Sequence, residues 1–73
     1  MRCHDTVLIN VANGKRYVRC SIYGDTTPST MPTTGAGIEG LNGDDIIYAD
    51  SYFYAIDTGK IYMLNGSGTW VEQ

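Results

Sequence analysis

Apolar and polar positions alternate in two blocks of this chain, separated by a stretch with almost no apolar content. In the first block, residues 6–23, the pair Asn13-Gly14 stands at the centre. Asn-Gly favours a two-residue hairpin turn, because both central residues of that turn hold positive φ. A regular hairpin about it sets Ala12 opposite Lys15, Val11 opposite Arg16, Ile9 opposite Val18 and Val7 opposite Cys20. One face then carries Val7, Ile9, Val11, Val18, Cys20 and Ile22, and the other Thr6, Leu8, Asn10, Tyr17, Arg19 and Ser21. A slip of one residue would mix the two sets, so this register is the one the pattern predicts.

The second block, residues 46–73, reads as a three-stranded meander. Asp57-Thr58-Gly59-Lys60 predicts a tight turn with Gly59 at positive φ, and Asn65-Gly66-Ser67-Gly68 predicts the next. Pairing across both places Tyr54, Met63 and Trp70 together, with Ile56 opposite Ile61, while Phe53, Ala55, Tyr62, Leu64 and Val71 share the opposite face. Both faces are apolar or aromatic, whereas an isolated antiparallel sheet keeps one polar face. The first hairpin could cover one face, and a second subunit or a host surface the other.

Between the blocks, residues 24–45 contain Pro28, Pro32 and five glycines, which oppose regular structure. Loops beyond about 12–15 residues are uncommon in compact domains unless they carry a function or are disordered. The stretch reads as an extended arm across a neighbouring subunit, anchored by Met31, Ile38 and Leu41, or as a flexible linker. No segment keeps a helical apolar period, and the expected fold class is a small antiparallel all-β protein.

Size sharpens the expectation of a partner. The chain has 73 residues, one domain at most. Domains below roughly 70–80 residues commonly need disulfides, a metal or oligomerisation to offset chain entropy. The hydrophobic fraction of 42% is enough for a folded protein. A net charge of −3 with only five basic residues argues against nucleic-acid binding, and Lys15, Arg16 and Arg19 read as a solvated hairpin tip. No apolar run approaches the roughly 18 residues of a membrane span. The start of the chain is too polar for a secretory signal, so synthesis in a cytoplasm is expected.

Little in the sequence points to chemistry. His4 followed by Asp5 lies in a terminal segment, and no nucleophile is spaced to form a triad with it. Cys3, His4 and Cys20 lack the paired spacing of a zinc site. In the regular register Cys3 lies about four positions beyond the partner of Cys20, on the order of 13 Å, too far for a disulfide. Asp44, Asp45 and Asp50 lack calcium-loop spacing and read as a charged edge that discourages stray strand pairing. Gly35, Gly37 and Gly40 lack the Lys of a phosphate loop. No cofactor, no metal and no enzyme activity are expected. Six tyrosines and one tryptophan suit protein interfaces, and stacking on sugars is the alternative.

Three stretches carry a likeness to a known group. They are Tyr23-Gly24-Asp25-Thr26-Thr27-Pro28 with Met31-Pro32-Thr33-Thr34-Gly35; Ile38-Glu39-Gly40-Leu41; and Tyr54-Ala55-Ile56-Asp57-Thr58-Gly59-Lys60-Ile61-Tyr62-Met63-Leu64 with the ending Gly68-Thr69-Trp70-Val71-Glu72-Gln73. In these the chain resembles small virion proteins of tailed bacteriophages of Gram-positive bacteria and their prophages. The resemblance implies a structural component of a virion, made in the host cytoplasm, without fixing its place in the particle; the expected role is to decorate or reinforce the head or form part of a head fibre. Its partners would be other virion proteins and further copies of itself. A tail or baseplate subunit and a small carbohydrate-binding module are the alternatives. The residues expected at protein contacts are Met31, Ile38 and Leu41 on the arm, with Tyr54, Tyr62 and Trp70 on the meander.

Overall fold

The computed structural model describes residues 1–24 and 32–73. Among them there is no helix, and the protein is all-β: six strands in one mixed sheet. They are β1 (Arg2–Ala12), β2 (Lys15–Gly24), β3 (Ile46–Ile47), β4 (Tyr52–Ala55), β5 (Lys60–Leu64) and β6 (Trp70–Glu72). The main order is β1-β2-β4-β5-β6, and β3 lies on the same edge of β2 as β4.

The first hairpin turns where expected, with Asn13 at φ 55° and Gly14 at φ 74°. Ala12 faces Lys15 and Val11 faces Arg16, as the regular register requires. Beyond Asn10 the expectation fails. A bulge at Ile9 sets Leu8, not Ile9, opposite Val18, and Thr6, not Val7, opposite Cys20. A second irregularity at His4 and Asp5 brings Cys3 opposite Ile22. Each bulge puts an extra residue into β1, so Val7 moves to the face of Arg19 and Ile9 loses its partner, while Val11, on the turn side of both bulges, keeps the face expected for it. Val18, Cys20 and Ile22 are buried as expected, while Val7, Leu8, Ile9 and Val11 stay exposed.

The C-terminal meander is β4-β5-β6, antiparallel throughout. Gly59 has φ 73°, as its turn demands. Ala55 pairs with Lys60, so Tyr54 faces Ile61 and Tyr52 faces Met63. Relative to the expected pairing this is a shift of two residues, which leaves every side chain on its face. The second turn departs by one residue, which reverses the faces. Thr69 joins the loop, Leu64 pairs with Trp70 and Met63 with Val71. Asn65 fixes this longer loop, because its Oδ1 accepts from the Ser67 and Thr69 backbone N–H groups. Trp70 therefore lies with Phe53 and Leu64, and Val71 with Met63, the reverse of the expected assignment.

The hairpin does not lie across the meander. It extends the same sheet through parallel pairing of β2 with β4, Ile22 opposite Phe53 and Tyr23 opposite Tyr54. The cover comes instead from the residues between the blocks. Residues 32–45 fold back onto one face through a bridge between Thr34 and Ile46, and through Cys3 N–H donating to the Glu39 carbonyl at 2.8 Å. Ile38 is buried with Cys20, Ile22, Ile47, Phe53, Ala55 and Leu64, and Leu41 packs against them. Gly35 permits the fold-back: a Cβ there would collide with the Asn42 carbonyl oxygen and come within 2.8 Å of Leu41 Cβ.

Candidate functional site: the open face of the sheet

Alternation gives each strand one side chain in two to the face opposite residues 32–45. From β2 these are Tyr17, Arg19, Ser21 and Tyr23, and β4 adds Tyr52 and Tyr54. Ile61 and Met63 of β5 and Val71 of β6 lie there too, with Lys15 at the start of β2 and with Val7 and Arg2 of β1 opposite Arg19 and Tyr23. None of these side chains is buried, and Tyr52, Ile61 and Val71 are each more than 40% exposed. Tyr23 sits at the centre, edge-on to Tyr54 with ring centroids 6.0 Å apart and edge-on to His4 at 4.6 Å. Edge-to-face contact is a favoured arrangement of aromatic rings, so the three rings support one another's orientation. A shallow depression of about 350 Å³ lies among Ser21, Tyr23, Tyr52, Tyr54 and Ile61.

The covered face is held by polar anchors as well as apolar packing. Asp45 is 1% exposed, and its carboxylate takes two bonds from the Arg16 guanidinium, at 2.9 and 2.7 Å, and a third from the Asn42 backbone N–H at 3.0 Å. The bonds from Arg16 hold the Asp45 carboxyl below the usual carboxylate range, against the opposing effect of burial. Arg16 is therefore not a free tip residue, and Asp45 is not part of a solvated charged edge. Ser51 is fully buried between β3 and β4. Its hydroxyl donates to the Tyr48 carbonyl at 2.6 Å and accepts from the Cys20 backbone N–H at 3.1 Å, closing the gap where β2 changes neighbours. Each has one partner three residues away, Asn42 and Tyr48, but the partners that join Asp45 and Ser51 to β2 lie 29 and 31 residues away and leave no local mark.

The six residues expected at protein contacts separate. Tyr54 lies on the open face, while Tyr62 and Trp70 pack half-buried on the covered one, both edge-on to Phe53. The Trp70 indole N–H donates to the Pro32 carbonyl at 2.8 Å and fastens the start of the covering segment to the last strand. Ile38 and Leu41 are packed within the chain's own core, and Met31 lies outside the described residues. Sequence reasoning missed Tyr23, Tyr52 and Ile61 as surface features. Their period-two spacing carried the signal, but only the parallel pairing of β2 with β4 brings them onto one face.

Among the described residues no group of three His, Cys, Asp or Glu side chains is placed to hold a metal ion. No helix there is long and apolar enough to cross a membrane. The fold and site thus define an all-β protein with one mixed sheet, covered on one face and tyrosine-lined on the other. Compared with known proteins, the chain matches no family model, no curated protein and no solved structure.

Proposed function

We propose that the protein is a non-catalytic assembly subunit that docks through the open face of its sheet. The observation that supports this most is the exposure of Tyr52, Ile61 and Val71 on the face where Tyr23 and Tyr54 pack edge to face. Rigid aromatic side chains flanked by aliphatic ones give contact area at small entropic cost, the usual make-up of an interface core. The finer reading is a structural protein of a tailed-phage virion, in the head or its fibre, with tail or baseplate as the alternative place. It rests on the resemblance of the three stretches quoted above.

The test is the mass of the folded chain in solution, by sedimentation with circular dichroism on the same sample. A folded oligomer is expected, and the pair Tyr52→Lys with Ile61→Lys should return it to monomer with the β spectrum intact. A folded monomer throughout the micromolar range would overturn self-assembly.

A second reading is favoured by the depression lined by Tyr23, Tyr52 and Tyr54, whose rings could stack on a sugar. Calorimetric titration with glycans, repeated on Tyr52→Ala, separates the two. Saturable heat lost in the variant would favour sugar binding.

A further inference from the structure

The two bulges of β1 do more than displace its apolar residues. They draw Cys3 back along the hairpin, so that it faces Ile22 while Cys20, two residues earlier in β2, faces Thr6. Cys3, Ile22, Cys20 and Thr6 all belong to the covered face. The cysteines are thus diagonal neighbours on one face, a relation that in a regular ladder separates Cβ atoms by somewhat under 7–8 Å. Here the bulge at His4 and Asp5 kinks β1 between them. Cys3 packs against the cluster that contains Cys20, and its sulfur lies 3.0 Å from Thr6 Oγ1, beside the Cys20 partner position. The expected separation on the order of 13 Å belonged to a hairpin without bulges. Cys20 is buried and Cys3 half-buried, and both thiols are free.

We propose that Cys3 is a site of thiol–disulfide exchange resolved by Cys20, closing an intrachain disulfide when the protein meets a small-molecule disulfide such as oxidised glutathione. The Cys3 thiolate attacks one sulfur of that disulfide, and its S–S bond breaks. One glutathione leaves as a thiolate and takes up the proton that Cys3 released. Cys20 then gives its proton to solvent, attacks the Cys3 sulfur and expels the second glutathione, which leaves as a thiolate and is protonated by solvent. Two protein thiols are oxidised and one external disulfide is reduced to two thiols.

The second step is the slow one. With both thiols free, burial first, then the neighbouring Cys3, push the Cys20 thiol up to about 12; Asp45 adds to this and a hydrogen bond with Ser51 opposes it, and in the mixed disulfide, where the Cys3 thiol is consumed, burial remains the largest cause. At neutral pH few Cys20 side chains are thiolates, so ring closure accelerates about tenfold per pH unit. The closed bond ties the start of β1 to β2 beneath Gly40, where an added Cβ would stand 3.1 Å from the Cys3 carbonyl oxygen.

The experiment treats the full chain with oxidised glutathione between pH 7 and 9, caps free thiols with iodoacetamide and reads intact mass. The expected course is one glutathione added, then lost, leaving a chain that takes no cap until it is reduced. Cys20→Ala should stop at the mixed disulfide, and Cys3→Ala should resist modification while folded. The oxidised chain should melt higher than the reduced one, by on the order of 10 °C. A wild-type chain that halts at the mixed disulfide, joins a second chain instead, or reacts only after unfolding would overturn the proposal. The pH course on the wild type keeps the test decisive should either variant fail to fold.

Discussion

Strands β1 and β2 form one hairpin, carry similar apolar residues and end in opposite conditions. Val18, Cys20 and Ile22 are buried, whereas Leu8 and Val11 are 54% and 58% exposed. Hydrophobicity does not separate them. β2 has neighbours on both edges and the segment 32–45 over one face. β1 has β2 on one edge, and its other edge meets the chain only near Arg2, at Glu39, among the described residues. Burial here is conferred by position in the sheet, and a strand can be as apolar as a core strand while most of its apolar side chains stay in water.

The sharpest way to test that contrast is to truncate β-branched side chains of the two strands to alanine. Ile22→Ala should destabilise the fold by about 2–5 kcal/mol, read from the denaturation midpoint, because it opens a cavity beside Phe53 and Ile38. Trp70→Ala should cost somewhat less, about 2–3 kcal/mol, since the ring is half-buried and loses its bond to Pro32. Gly35→Ala should cost about 1–3 kcal/mol by lifting the cover off β2, with increased hydrogen exchange at Ile38 and Leu41 as its mark.

Acid should loosen the same cover. The Asp45 carboxyl is held below its unfolded value, so the stability it contributes is present above the unfolded carboxylate range and is lost as pH falls through the folded value. Asp45→Asn should remove that part of the acid transition, and a pH–stability curve superimposable on the wild type would contradict it. Smallest of all, Val11→Ala should change monomer stability by within about 0.5 kcal/mol. A loss comparable to that of Ile22→Ala, measured on the monomer, would break the comparison between the strands.

What could be read from the sequence follows the range of each interaction. The turns at Asn13-Gly14 and Gly59 were legible because their backbone needs are met by the residues that stand there. The buried identity of Val18, Cys20 and Ile22 followed from simple alternation. The bulges at Ile9 and at His4-Asp5 were not legible, since an extra residue in a strand leaves no local mark. Trp70 changed face for a related reason, one additional loop residue at Thr69. Ile38 entered the core from a stretch that composition assigned to an arm, because what buries it is the return of the chain over β2. The tyrosine face needed the parallel partnership of β2 and β4, which no short motif encodes.

That partnership also sets an order of events during folding. The hairpin β1–β2 and the meander β4–β5–β6 each close through short turns, but β2 and β4 meet only after a long loop is brought together. Closing such a loop has an entropic cost that rises with the logarithm of its length, and the contacts that offset it form afterwards. On a ribosome the hairpin would emerge well before its parallel neighbour exists, with the β2 edge bare and Ile22 in water. The slow step expected of such a topology is the closure of β2 onto β4, and a chaperone or an assembly partner that shields the β2 edge during that interval would raise the yield without altering the final structure.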